Sequence, residues 1–134
     1  RRDFKPSAQL QQPYTMAGFN IFAADTQEEA ELIATSAMQT VVALRTGTPG
    51  RLQPPLPGYR DTLPPMAQSM LANFFAASSI GTQEQVERDL AAFIRRTRVD
   101  EVIVSGFIYD ADARKRSAEI GMAAMKAIEA EVTA

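Results

Sequence analysis

The segment "YTMAGFNIFAADTQEEAELIA", residues 14–34, constrains the fold more than any other part of the chain. Read with a period of two, Met16, Gly18, Asn20 and Phe22 fall on one face, Ala17, Phe19, Ile21 and Ala23 on the other, and both faces are largely apolar. A strand of that kind needs cover on both sides, as in a parallel sheet flanked by helices. Asp25 or Thr26 then caps a helix with Glu28 and Glu29 in its first turn. Ala30, Ile33, Ala34, Ala37, Met38, Val41 and Leu44 recur at helical spacing as far as Gly47. The unit is a strand leading into a helix.

Residues 46–65, "TGTPGRLQPPLPGYRDTLPP", hold six Pro and three Gly in twenty positions and cannot form a helix or a central strand. A loop this long is either a lid or binding loop or a linker. A short apolar helix, "MAQSMLANFFAAS", follows, with Met66, Met70, Phe74 and Phe75 expected in the core. Next comes a short strand near Ser78–Ile80. Thr82 is the expected cap of a helix that carries Val86, Leu90, Phe93 and Ile94 on one face. "VDEVIVSGFIYD" reads as a further strand, and Asp110 or Asp112 starts a last helix through Ile120, Ala124, Ala127 and Ile128. The alternation predicts an α/β protein with a parallel sheet and ligands gathered at the C-terminal strand ends.

Composition removes several chemistries. The chain of 134 residues has no Cys and no His, which excludes disulfides, thiolates, imidazole bases and the usual zinc ligand sets, so no metal site is expected. A net charge of −2 offers no field for nucleic acid, and Arg95, Arg96, Lys115 and Arg116 lie within helical patterns as solvated charges. No apolar run approaches membrane-spanning length and no signal-like start is present, so a cytoplasmic protein without membrane association is expected. The chain opens on "RRDFKPS" without Met, which suggests a trimmed product or a piece of something longer.

Taken in order, "YTMAGFNIFAADTQEEAELIA", a variable loop and "SSIGTQEQVERDLAAFIRRTRVDEVIVSGFIYDADARKRS" resemble the C-terminal part of luciferase-like flavin-dependent monooxygenases over nearly the whole chain. The most specific elements are Gly81, Thr82, Glu84 and Val86 at the turn and Asp100, Glu101 and Val102 before the strand, with Gln83 where the family often has Pro. The resemblance implies a (β/α)8 TIM barrel that uses reduced flavin mononucleotide (FMN), or in some branches the deazaflavin F420, with dioxygen, to oxidise a small organic substrate. A flavin reductase is then a possible partner. A whole barrel needs about 250 residues. The chain is therefore expected to be a partial barrel, its last three strand–helix units with the long Pro-rich loop, and to be inactive alone because most of the cofactor site lies in the earlier units. A non-catalytic α/β binding or assembly module is the alternative.

Within that frame, Gly81 and Thr82 offer backbone N–H groups at a helix start, either for an anionic part of the cofactor or as an ordinary N-cap. Asn20, Ser105, Phe107 and Tyr109 are candidates for the substrate pocket, the last three by alternating on one face of the final strand. Arg51, Tyr59 and Arg60 could close over the site, since members of the family carry a mobile loop before the Gly-Thr turn. No catalytic acid or base is identifiable. Three strands cut from a closed barrel would leave two free edges and an apolar face including Phe19 or Phe22 with Ile103 and Phe107, so a homo-oligomer is expected.

Overall fold

The computed structural model describes residues 1–133, the side chains of 131–133 excepted. After an irregular N-terminal segment, the order is β1 (Met16–Ala23), α1 (Gln27–Arg45), a 3-10 turn at Tyr59–Thr62, α2 (Pro65–Phe74), a second 3-10 turn, β2 (Ser78–Gly81), α3 (Gln83–Thr97), β3 (Glu101–Ser105) and α4 (Ala111–Thr133). All pairing is parallel, and the strand order is β2-β1-β3. Among the described residues no helix is long and apolar enough to cross a membrane.

Three successive barrel units would place their strands side by side in chain order, with helices on one face only. The sheet departs from that expectation on both counts. β1 is the longest strand and apolar on both faces, and it takes the centre, with the four-residue β2 and five-residue β3 on its two edges. The β1-to-β2 and β2-to-β3 crossovers therefore run in opposite directions, and crossovers of one hand that do so put their helices on opposite faces. Phe19, Ile21 and Ala23 pack against Val86, Leu90 and Phe93 of α3 and Ile120, Ala124 and Ile128 of α4. Phe22 packs on the other face against Ala34, Ala37, Met38 and Val41 of α1 and Leu71 of α2. Phe19 meets Phe93 with ring centroids 5.0 Å apart, and Phe22 meets Phe75 at 5.6 Å. Each buried side chain of this size contributes about 1.5–3 kcal/mol. The two Phe therefore anchor β1 from both sides.

Cover on the α1 face is incomplete. It protects the C-terminal half of β1, while Met16, Gly18 and Ile103, on the same face near the strand starts, stay exposed. Phe19 or Phe22 was expected on a bare face and both are instead in the core, whereas Ile103 and Phe107 are exposed as expected. Leu44, Met66 and Phe74, expected inside, are on the surface, with Met66 85% exposed.

The Pro-rich segment is not uniformly loose. Thr35 Oγ1 accepts from Leu56 N at 2.8 Å, Gln39 donates to the Pro54 carbonyl, and Tyr59 and Leu63 pack on the α1 core. Its second half is thereby held against α1.

Candidate functional site

β1 hands its chain to α1 on one face and β2 hands its chain to α3 on the other, so the C-terminal ends of these neighbouring strands form a switch point, where open α/β sheets bind ligands. Two concavities flank it. On the α3–α4 side a crevice of about 340 Å³ is walled by Asp25, Thr82, Glu84, Arg116 and Ile120. On the α1 side a larger cleft of about 640 Å³ runs between α1, the Tyr59–Asp61 turn and Ile80.

Gly81 sits between them for a steric reason. A β-carbon there would come within 2.8 Å of both Gln27 Oε1 and Gln85 Cβ, so only Gly lets the starts of α1 and α3 close on the strand end. Thr82 is the N-cap residue of α3 by backbone geometry, but its side chain makes no capping hydrogen bond. The true side-chain caps are Thr26, which accepts from Glu29 N at 3.2 Å, and Asp110, which accepts from Ala113 N at 2.8 Å.

Asp25, the alternative cap of α1, instead takes the Arg116 guanidinium at 2.5 Å, and Arg116 also reaches Glu119 at 3.5 Å. The hydrogen bond from Arg116, and then its charge, hold the Asp25 carboxyl below the usual carboxylate range. The crevice thus has one guanidinium, already shared by two carboxylates, with Glu84 as a further anion. Its field does not fit a phosphate dianion.

Asn20 is a sheet cross-link and lines neither concavity. It donates to Ser78 Oγ at 3.3 Å and accepts from Ser105 Oγ at 2.8 Å, and Ser78, Asn20 and Ser105 are register partners, so one polar rung spans the three strands. Phe107 and Tyr109 do not continue a strand face with Ser105, because β3 ends at Ser105 and Ile108, two residues past Gly106, enters the α1 core. Both aromatic rings are half exposed and outside the concavities. Of the three loop candidates, Tyr59 and Arg60 line the larger cleft and Arg51 stands apart in solvent.

The cleft's other wall is the flank of α1, where Glu28 was expected only as a first-turn charge and Met38 only as a core residue, and where Glu31, Leu32 and Thr35 carried no expectation. Glu28, Glu31, Leu32 and Thr35 recur at helical spacing and form a second stripe on α1 that meets the core stripe at Met38. That spacing was the available signal, but the Ala-rich stripe next to it is the stronger pattern. Among the described residues no group of three or more Asp or Glu is placed to hold a metal.

No family model matches the chain. It is 38% identical over 122 residues to a luciferase-like monooxygenase of Escherichia coli K12, an alignment that takes in 91% of this chain and 36% of that protein. It is 36% identical over 120 residues to the uncharacterized protein YvbT of Bacillus subtilis, again 36% of the relative's length. The crystal structure of apo-MsnO8 superposes with a TM-score of 0.79 at 21% identity, over 94% of this chain and 39% of that one, and so shares the fold. The chain is therefore similar over nearly its whole length to luciferase-like monooxygenases and spans little more than a third of the relatives it matches.

Proposed function

We propose that this chain is one part of a flavin-dependent oxidoreductase of the luciferase-like kind, which uses reduced FMN, or a deazaflavin, with dioxygen to oxidise a small organic molecule. The observation that carries the reading is the 38% identity maintained across 91% of the chain. Within the whole protein, β1 and β3 are neighbouring strands of a (β/α)8 barrel, with α3 and α4 outside. The segment from α1 to β2 is an insertion at the C-terminal rim. Two features support this: β1 and β3 pair directly, and the face opposite α3 and α4 is bare near the strand starts, where a barrel interior would lie.

The chain by itself does not fit a flavin. Its crevice and its cleft both carry more carboxylates than guanidinium groups, and a flavin phosphate calls for the reverse. What these residues provide is a rim. Gly81 lets two helices meet the strand end, Thr82 leaves its hydroxyl free of a capping bond, and Arg116 is held by Asp25. When bound, the flavin supplies the redox chemistry, and the protein positions the substrate and excludes water.

Fluorescence titration of FMN against the 134-residue chain and against a protein that carries the chain within a complete barrel tests this. Saturable binding by the longer protein and none by the chain is the expected result. Absence of binding by both, with FMN or with the deazaflavin, in oxidised and reduced forms, would overturn the functional reading.

A further inference from the structure

The larger cleft has a chemistry that the flavin reading does not use. Its floor is apolar, from Leu32 and Met38 of α1 and Ile80 at the end of β2. Its mouth holds Glu28, Glu31 and Asp61 against the single cation Arg60, a net charge of −2 at neutral pH. None of these four groups is in an ion pair among the described residues, and of the three carboxylates Glu31 alone accepts a side-chain hydrogen bond, 2.8 Å from Gln27. Tyr59 places an aromatic ring in the wall between floor and mouth, held there by packing on the α1 core.

We propose that this cleft binds an organic ammonium ion with an apolar tail. The tail lies on Leu32, Met38 and Ile80, and the ammonium head sits among the carboxylates beside Tyr59. Carboxylates and an aromatic face together are the surroundings that lower the cost of removing water from a positive nitrogen. A carboxylate or phosphate head in the same place would meet three like charges. The volume of about 640 Å³ is within the range for small-molecule sites. The turn that carries Tyr59, Arg60 and Asp61 is tied to α1 through the Leu56–Thr35 hydrogen bond, so both walls keep their spacing. The inference is independent of the flavin reading, since it rests on the cleft's own charge and shape.

The test is calorimetric titration of the 134-residue chain with octylammonium, octanoate and octan-1-ol, three probes with one tail and different heads. Octylammonium is expected to bind about tenfold more tightly than octanoate, as two or three partly exposed charge contacts allow. The double variant Glu28→Gln, Asp61→Asn should erase most of that preference while leaving octan-1-ol unchanged. Arg60→Gln should strengthen octylammonium binding. Ile103→Ser, on the bare sheet face, should alter none of the three. Equal binding of the two charged probes, a preference that survives the double variant, or loss of binding in the Ile103 variant would each overturn the proposal. Circular dichroism of each variant confirms that the comparison is between folded proteins.

Discussion

The carbonyl oxygen of Ile21 lies 2.6 Å from the position a β-carbon on Gly106 would occupy. β3 pairs with β1 only as far as Ser105 opposite Asn20, and the next residue, Gly106, lies close against the Ile21 main chain. Gly106→Ala pushes on main chain that has no flexible side chain to move aside. The expected cost is about 1–3 kcal/mol, as for overpacking in a well-filled interior. Urea unfolding of the variant should show a lower midpoint with an unchanged slope, and a midpoint equal to that of the parent would refute the steric argument.

Where β3 leaves off, α4 completes the ladder. Ser117 is 3% exposed, its hydroxyl oxygen accepts from Ala23 N at 2.9 Å, and its hydroxyl donates to the Ile21 carbonyl at 3.3 Å. Ser117→Ala leaves both bonds unmade at a buried site, and the expected loss is about 1–3 kcal/mol. Ser36 provides the contrast. It is equally buried and its hydroxyl has no partner, so Ser36→Ala should be neutral or stabilising. Chemical denaturation of the two single variants decides whether burial or bonding governs.

Much of this was legible from the residues and some was not. The double apolar face of β1 announced cover on both sides, and Phe19 and Phe22 indeed go to opposite cores. The stripe Val86, Leu90, Phe93 located the buried face of α3. Strand order was not legible, because a strand apolar on both faces specifies what lies above and below it and not which strand lies beside it. The end of β3 was missed for a related reason. Alternation through Ser105, Phe107 and Tyr109 reads as strand, and what ends the pairing is long-range, with Gly106 close against the Ile21 main chain and Ile108 drawn into the α1 core. In the site, Tyr59 and Arg60 were named and do line a cleft, but Glu28, Glu31 and Asp61 are ordinary surface charges until the loop is folded against α1.

Acid should weaken the link between the N-terminal segment and the start of β3. The Asp100 carboxylate accepts from the Thr15 backbone N–H at 2.8 Å, from the Thr15 hydroxyl at 2.9 Å and from Arg1 at 2.7 Å. These contacts, the Thr15 N–H foremost, hold its carboxyl below the usual range. A carboxyl with a lower pKa folded than unfolded binds fewer protons in the folded state. Its stabilising contribution is therefore complete above about pH 4 and is lost as pH falls through the folded value. Asp100→Asn should be less stable than the parent at neutral pH, with the gap closing in acid. Denaturation midpoints compared from about pH 6 to about pH 2 would show it, and a gap that widened on acidification would contradict the assignment.

Protease sensitivity should divide the Pro-rich segment into two. Residues 46–51 are exposed, and after Thr48, whose backbone N–H donates to the Ala43 carbonyl at 2.9 Å, residues 49–51 make none of the bonds to α1 that hold the later part. Arg60 lies within a 3-10 turn whose neighbours pack on α1. Trypsin should make its first internal cut after Arg51 and spare Arg60 until later. Mass spectrometry at early times reads the order directly, and a first cut at Arg60 would mean that the turn is not held.

The bare face governs how the isolated chain behaves in solution. Met16, Ile103 and Phe107 are each more than half exposed, β3 has a free outer edge, and Val104 is exposed on the other side of that edge. Apolar surface next to unpaired strand N–H and C=O groups favours pairing with a second copy through β3. Each 100 Å² of apolar surface so covered is worth about 2.5 kcal/mol, against an association cost of at least about 4 kcal/mol. A few hundred square ångströms are therefore enough at micromolar concentration. Sedimentation equilibrium of the 134-residue chain should show dimers or larger species at tens of micromolar, and Ile103→Lys, which places a charge beside the free edge, should shift the chain to monomer while leaving its far-ultraviolet circular dichroism unchanged. A parent chain that sediments as a monomer would show that the free edge of β3 does not pair.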